Sequence, residues 1–252
     1  MDQTTEYGQM NFNLPHDVVP LPSRGLFYKN KKKSIKVGYL TAQDENLLMS
    51  NNSSGTNVIN QLLRIKVFEP DIKIDDLLTG DVEAVLLFLR NTAFGTTYNV
   101  SVFDPKTGQR FESSIDLGEL NIKSVQETPD DNGHYTITLP TSGDSVKFKL
   151  LTYGEENAID QEMELYPKGM VAPTITRKLE ARVISINDNS DRDFIVKYIG
   201  TMPIADSKYI RRKVSEVEPK LDLTKKVKAP SGELVDVSVS FGVEFFRPFF
   251  GL

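Results

Sequence analysis

The sequence predicts an α+β fold in which helices pack around β-hairpin blocks. Residues 97–117 and 221–241 each carry a β-patterned arm, a turn that contains Pro and Gly, and a second β-patterned arm. Elsewhere, apolar residues recur at spacings of three and four, which indicate amphipathic helices. Because the hairpin pattern occurs only twice and at distant positions, it does not indicate a solenoid or a repeat array.

The two hairpins resemble zinc ribbons that have lost their cysteines. A zinc ribbon carries Cys-Pro-x-Cys-Gly at its turn, because two thiolates three residues apart can bind one tetrahedral ion. Asp104 and Thr107 occupy those positions in the first hairpin, and the second hairpin is one residue too short to keep the spacing. The sequence therefore predicts hairpins held by turn chemistry and strand pairing, without structural zinc or any other cofactor.

Composition excludes several classes of protein. Hydrophobic residues make up 39% of the 252 residues and charged residues 26%, which is typical of a globular chain. The net charge of −5 disfavours a protein whose main role is to coat nucleic acid. The absence of cysteine excludes disulfides and fits folding in a reducing cytoplasm. No apolar run approaches the length of a membrane span, and no secretory signal pattern is visible.

Changes in pattern divide the chain into five predicted regions. The first is an arm expected to be mobile or extended in the free protein and to become ordered against a partner, because its apolar content is low. The regions are 1–20, the extended N-terminal arm; 21–95, a strand-turn plus a helical region; 96–151, a β-rich ribbon-like block; 152–220, a helical region; and 221–252, the second ribbon-like hairpin with an aromatic C-terminal tail.

Capping signals locate several helices within these regions. Thr41 followed by Asp44 predicts an acidic variant of the capping box, and Asp81 is predicted to cap a helix over 82–94 that Gly95 ends. A hairpin is predicted from two alternating strands, 135–140 and 145–150. Further helical patterns cover residues 155–165, 175–186, 190–200 and 205–218.

Catalytic signatures are absent from the sequence. His16 and His134 are isolated in predicted loops, and adjacent acidic pairs fall mostly in polar turns. None of the motifs of nucleotide-binding loops, serine hydrolases or zinc proteases is present. A cluster of lysines at 29–33 fits a solvated hairpin tip better than a nucleic-acid site, because aromatic interleaving is limited.

The C-terminal segment FFRPFF is the candidate binding site. A phenylalanine side chain carries about 150–250 Å² of mostly apolar surface, so four of them at a chain end are unfavourable in water. The pattern leaves two alternatives open: the rings fold back onto the chain's own β-block, or they insert into a cleft of a neighbouring chain. The predicted partner-binding residues are Phe245, Phe246, Arg247, Pro248, Phe249 and Phe250.

Read in order, several segments resemble one family, the baseplate hub subunit and hub-assembly proteins of contractile-tailed (T-even-like) bacteriophages. The most specific match is the opening, a Leu-Pro-Ser-x-Gly turn with a tyrosine, then a strand, then Leu-Thr and a helix. The other matching segments are the ribbon at 92–120, the strand and helix start at 142–159, the helix at 205–223 and the aromatic ribbon at 227–250. The missing ribbon cysteines depart from the family pattern.

The resemblance implies a non-enzymatic structural or assembly component of a phage tail baseplate hub. Its partners would be other hub or tail proteins. Binding to nucleic acid and a membrane span are not expected. Whether the chain forms an oligomer within the baseplate is left open. It would occupy the host cytoplasm during assembly. Whether it remains in the tail baseplate of the virion is also left open. The alternatives are a transient chaperone for a hydrophobic tail protein such as the tape measure, absent from the mature virion, and a carboxylate-dependent enzyme. A converging acidic pair in a pocket would favour the enzyme.

Overall fold

The computed structural model describes residues 15–49, 55–123, 127–167 and 169–246. These residues form seven α-helices and eleven β-strands, all of whose pairings are antiparallel, which confirms the predicted α+β class. In chain order the elements are β1 (His16–Pro20), β2 (Ser34–Gly38), α1 (Ala42–Leu48), α2 (Gly55–Lys66), α3 (Thr79–Phe94), β3 (Thr97–Phe103), β4 (Arg110–Asp116), β5 (Ile122–Lys123), β6 (His134–Thr138), β7 (Ser145–Lys149), α4 (Tyr153–Glu164), α5 (Thr174–Arg182), β8 (Val183–Ile186), α6 (Arg192–Thr201), α7 (Ile204–Val217), β9 (Lys220–Leu221), β10 (Thr224–Lys228) and β11 (Leu234–Ser238).

The strands form small sheets. β1 pairs with β2, β3 with β4, β5 with β9 and β10 with β11, while β6, β7 and β8 make one three-stranded sheet. Hairpins are therefore present at both places where the sequence predicts ribbon-like ones, as β3–β4 and β10–β11, and the predicted hairpin at 135–150 is β6–β7. Among the strands of the described residues, only the short β5–β9 pairing brings together the middle and the last part of the chain.

One apolar cluster, here called the first core, joins the two ends of the described chain. It contains β1, β2 and the buried faces of α2 and α3 together with both ribbon-like hairpins. In α3 the apolar residues at three- and four-residue spacing face inward, as the periodicity predicts. Its fully or nearly buried members include Ile35, Val37, Leu62, Leu63, Leu77, Val85, Leu89, Leu117, Val227, Val239, Phe245 and Phe246.

The second core is built on the three-stranded sheet. Helices α5, α6 and α7 cover it, and Leu78 at the start of α3 is the member that comes from outside the middle of the chain. Val146 and Phe148 of β7 point into this core, as alternation along a strand requires. The other buried members are Tyr135, Leu139, Leu150, Leu179, Val183, Ile186, Ile195, Ile199, Ile210, Val214 and Val217.

The prediction that Asp81 caps α3 was wrong. The helix begins at Thr79, its N-cap is Leu78, and Asp81 lies inside the first turn with no exposed surface. Its carboxylate instead accepts hydrogen bonds from the Ser23 backbone N–H (2.8 Å) and the Tyr28 hydroxyl. Tyr28 also accepts from the Leu78 N–H at 2.9 Å. The turn that opens the most specific sequence motif is thus fixed to the start of α3.

Burial controls the ionisation of this group of residues. Desolvation raises the pKa of Asp81, and the hydrogen bonds from Ser23 and Tyr28 oppose the shift. Desolvation, and then the charge of Asp81, raise the pKa of Tyr28 far above its usual range. The raised pKa keeps the tyrosine protonated at neutral pH, so that its hydroxyl can donate to Asp81.

The capping box at Thr41 is confirmed, and Asp44 has a second partner. Its carboxylate accepts from the Thr41 backbone N–H at 2.7 Å and pairs with Lys66 Nζ at 2.5 Å, with both side chains almost completely buried. The sequence predicts only the capping role of Asp44. The structure also uses Asp44 to join α1 to the end of α2, and a buried charge is tolerable there because it is paired.

The predicted helix over 175–186 was wrong in its last four residues. Helix α5 ends at Arg182, and Val183–Ile186 forms β8, which pairs with β7. Val183 and Ile186 are completely buried in the second core. Helical periodicity is compatible with this segment, but β-branched residues beside an unpaired strand edge gain more from pairing and burial.

The segment predicted as an N-terminal arm is partly a strand. Residues 1–14 lie outside the described part of the chain, whereas His16–Pro20 pairs with Ser34–Gly38 along its whole length.

The start of α3 packs closely against the chain that leads into β9. A Cβ at Gly80 would lie 2.0 Å from the carbonyl oxygen of Pro219. Only glycine allows the start of α3 to lie so close to the chain that leads into β9.

Candidate functional site

The predicted site begins with two aromatic residues that the structure places in the first core. Phe245 is 1% exposed and Phe246 is 0% exposed. The ring centroid of Phe245 lies 5.5 Å from that of Tyr98 on β3 and 4.8 Å from that of Phe241. For these two phenylalanines the observed contacts are with the chain's own β-block. Arg247, Pro248, Phe249 and Phe250 lie outside the described residues, and their docking role stays a prediction.

Arg90 holds this aromatic cluster in place. The residue is fully buried, and its guanidinium lies 5.3 Å from the Tyr98 ring centroid and 5.8 Å from that of Phe245. It donates to the carbonyl oxygens of Gly95 and Thr97, the latter at 2.6 Å. Desolvation lowers the pKa of Arg90. A desolvated cation over aromatic faces contributes about 2 kcal/mol, so the guanidinium joins the end of α3, β3 and the C-terminal aromatics.

The turns of the two ribbon-like hairpins contact each other. Residues 104–109 form the Asp104 turn between β3 and β4, and residues 229–233 form the Ser231 turn between β10 and β11. Asp104, which is 1% exposed, accepts from the Ser231 hydroxyl at 2.8 Å and from the Ser231 backbone N–H at 3.0 Å. The two hairpins are thereby joined although Asp104 and Ser231 are 127 residues apart in the sequence.

The contact between the two turns affects the charge of Asp104. Desolvation raises its pKa, but the hydrogen bonds from Ser231 and from the Lys106 N–H outweigh it and lower the pKa below the ordinary value. Thr107, the other position where a zinc ribbon needs a thiolate, is exposed and its hydroxyl accepts from the Gln109 N–H. The two positions do not converge, and across the described ranges no group of three or more metal-binding side chains is found.

The other candidate residues are dispersed. His16 lies on β1 with its ring against that of Phe68, while His134 begins β6. In the lysine-rich loop between β1 and β2, Lys32 pairs with Glu69 and Asp71, and these contacts raise its pKa despite the opposing effect of desolvation. The loop charge is thus partly neutralised by the chain itself, which favours the hairpin-tip interpretation over a nucleic-acid site.

A converging acidic pair does exist, and sequence reasoning missed it. Glu83 on α3 and Glu218 after α7 line one cleft of about 820 Å³, together with Lys123 and Lys220. Desolvation, and then the charge of Glu218, raise the pKa of Glu83 to about 7. Desolvation likewise raises the pKa of Glu218. The two residues are 135 positions apart in sequence, so no local pattern could have connected them.

The surroundings of the acidic pair are mainly structural. Lys123 Nζ donates to the Ser215 carbonyl oxygen at 2.6 Å, and Lys220 Nζ lies 3.2 Å from the Ser215 hydroxyl. The pair thus lies where the short β5–β9 ladder joins the end of α7 to the start of α3. The arrangement combines two carboxyls whose pKa values are raised with two lysines that already donate to Ser215, and this region connects the two cores.

Comparisons with known proteins identify the family. No curated protein and no solved structure matches the chain. No helix of the described residues is long and apolar enough to cross a membrane. A family model described as T4 bacteriophage base plate protein matches residues 24–247. This range includes the second core, both hairpins, the buried phenylalanines and all buried members of the first core except Val19 and Leu21. Because this match covers most of the sequence, the chain belongs to the family of T4 bacteriophage base plate proteins.

Proposed function

We propose that this base plate protein is a non-enzymatic structural or assembly component of the baseplate hub that acts by binding other baseplate chains. One observation carries the proposal: a single family match runs from residue 24 to residue 247 and so covers the second core and nearly all of the first. The resemblance of the opening motif to hub proteins supports the hub in particular. The protein functions in the host cytoplasm during assembly and enters the tail baseplate of the virion.

Within this function, Phe249 and Phe250 are the proposed docking residues. Phe245 and Phe246 are already buried in the first core and cannot supply partner contacts without unfolding it. Full burial of a phenylalanine contributes about 1.5–3 kcal/mol, so two rings can provide several kcal/mol before ordering losses. Pro248 restricts the backbone between the two pairs, which lowers the entropy lost when the second pair docks.

The test separates docking from folding. The double variant Phe249→Ser/Phe250→Ser should fold normally but enter baseplates at a level at least about tenfold lower in a complementation experiment, since a tenfold loss corresponds to about 1.4 kcal/mol. The matched control is Phe103→Ser/Leu234→Ser, which removes two exposed apolar residues from the hairpins. Urea unfolding of each purified protein monitors the fold. Equal incorporation of the two variants would contradict the docking role.

The chaperone alternative differs in where the chain is found. A transient chaperone for a hydrophobic tail protein is present in assembly intermediates and absent from purified mature particles. Quantitative mass spectrometry of both fractions should find the chain in both. Its complete absence from mature particles would replace the hub proposal with the chaperone.

The acidic pair favours a second candidate function, that of a carboxylate-dependent enzyme. Glu83 and Glu218 meet the geometric requirement of two carboxyls with raised pKa values in one cleft. Their position between the cores supports a structural role equally well. Glu83→Gln should leave particle assembly unchanged, whereas a loss of infectivity by particles of normal composition would support the enzyme.

A further inference from the structure

A groove between α5 and α7 lies on the face of the second core, far in sequence from the aromatic tail. It has a volume of about 250 Å³, and two buried apolar residues of the second core line it, Leu179 on α5 and Val214 on α7. Ile175 extends the groove and is 51% exposed, and Val171 in the preceding connector is 93% exposed. Isolated exposed apolar residues are common, but a run of them beside an apolar groove is typical of a binding surface.

One buried polar group points to a ligand in this groove. Arg182 lines the groove, is 8% exposed and uses Nη2 to bind Glu156 at 2.6 Å. Its other terminal nitrogen, Nη1, is buried and has no hydrogen-bond partner among the described residues. A buried donor without an acceptor costs about 1–3 kcal/mol, so an acceptor that enters the groove would recover this energy.

The charges around the groove restrict what can supply that acceptor. Lys178 and Arg211 lie on opposite sides, and Lys178 already pairs with Asp160 at 2.9 Å. Among the described residues, no carboxylate pairs with Arg211, which lies on the exposed side of α7. Glu218 lies at the end of the groove and disfavours a second carboxylate beside Arg182. The pattern fits a neutral acceptor at Arg182 and a negative charge at Arg211.

We propose that the α5–α7 groove binds an extended apolar segment of another baseplate chain with an acidic flank. A backbone carbonyl of that segment accepts from Arg182 Nη1, its apolar side chains cover Leu179, Val214 and Ile175, and its acidic flank pairs with Arg211. This inference rests on the proposed function, because it requires a partner within the baseplate. It adds a second contact that is independent of the aromatic tail.

The first test uses paired charge reversals on one helix. Arg211→Glu should lower incorporation into baseplates by about tenfold, as expected when a central charge contact is reversed. Arg212→Glu is the control, because Arg212 is an adjacent exposed arginine that does not line the groove. A second pair, Ile175→Glu and Ile204→Glu, repeats the comparison for apolar residues, since Ile204 is 73% exposed on the same helix as Arg211 but outside the groove.

The second test identifies the occupant. A photo-crosslinking amino acid at position 175 should link, in purified baseplates, to an apolar segment with acidic neighbours in another chain, and the same amino acid at position 204 should not. Linkage of the purified chain alone, either to itself or to a second copy, would overturn the proposed occupant. Normal incorporation of Arg211→Glu and Ile175→Glu, with loss only in Phe249→Ser/Phe250→Ser, would reject the groove and retain the proposed function. Absence of the chain from all baseplate fractions would reject both.

Discussion

The two cores differ in which parts of the chain contribute their residues. The first core draws on residues from Val19 to Leu117 and again from Val227 to Phe246, whereas the second is almost entirely a continuous stretch from Tyr135 to Val217. A core made from distant segments has to close long loops before its contacts form, which costs entropy. The second core therefore forms mainly from residues of one continuous stretch. The first core is complete only when the C-terminal hairpin and the aromatic residues after it pack against the N-terminal part of the chain.

Both cores contain a buried aspartate that joins a helix to a distant turn. Each contains a fully buried aspartate at the third position of a helix, Asp81 in α3 and Asp206 in α7, that accepts from a distant turn and does not cap its own helix. Asp206 accepts from the Thr141 and Ser142 N–H groups at 2.8 and 3.1 Å. In both cores, helix and turn are therefore joined by a carboxylate whose partners lie more than fifty residues away.

The largest expected effect is the loss of Phe246 from the first core. Phe246→Ala should reduce the free energy of unfolding by about 3–5 kcal/mol, the usual cost of truncating a buried aromatic ring. Phe194→Ala in α6 is the control, because Phe194 is 39% exposed and should cost much less. Urea unfolding gives the free energies, and hydrogen exchange should show amides of the first core opening before those of β7. Equal costs for the two variants would contradict the dependence of the first core on the C-terminus.

The two buried aspartates, Asp81 and Asp206, allow the stability of the two cores to be compared directly. Asp81→Asn and Asp206→Asn should each reduce stability by about 1–3 kcal/mol, because the amide presents a donor where an acceptor is needed. Hydrogen exchange should localise the first loss to the turn at residues 21–28 and the second to the turn at 139–144. If both variants open the same region, the two cores are not separate units of stability.

Between the cores, Glu83 should make stability depend on pH. Its pKa is raised from the ordinary value to about 7, so the folded state binds a proton more tightly than the unfolded state and stability falls as pH rises through this range. Glu83→Gln should therefore be more stable than the parent at pH 8, by about 1–2 kcal/mol, and should show little advantage at pH 5. Thermal unfolding across pH measures this, with the half-exposed Glu216→Gln as control. A constant difference at all pH values would reject the assignment.

The smallest expected effect concerns the contact between the two turns within the first core. Ser231→Ala removes the hydroxyl that donates to Asp104 and should cost about 0.5–1.5 kcal/mol, as for a single hydrogen bond. Ser238→Ala removes an exposed hydroxyl contact with Thr224 inside one hairpin and should cost less. Chemical denaturation distinguishes the two. A larger loss for Ser238→Ala would show that the contact between the hairpins does not contribute to closing the first core.

Local pattern predicted much of the secondary structure correctly. The capping box at Thr41, the stop at Gly95 and the alternation of Val235, Val237 and Val239 depend on neighbouring residues, and all are present. Errors arose where distant partners intervened. Asp81 has the sequence signature of a helix cap, but it accepts hydrogen bonds from Ser23 and Tyr28 instead. Val183–Ile186 has a helical pattern, but it forms a strand because it pairs with the edge of β7.

The candidate sites were less predictable for the same reason. The aromatic composition of residues 245–250 identified a segment that needs burial, but not which rings the chain would bury itself. Arg90 gave only a weak signal, as a single cation within a largely apolar helix. The α5–α7 groove and the Glu83–Glu218 pair combine residues from separate helices, so no local pattern contains them.

The sequence by itself determined the α+β class, most helices and hairpins, the absence of thiolate ligands and the resemblance to baseplate proteins. These properties depend on side-chain period, turn chemistry and composition, which act over a few residues. Only the tertiary structure decided that Phe245 and Phe246 are internal, that Asp104 meets Ser231, and that an unpartnered Arg182 nitrogen lines a groove. These outcomes depend on which distant surfaces meet, because burial and hydrogen-bond satisfaction are properties of the whole packed chain.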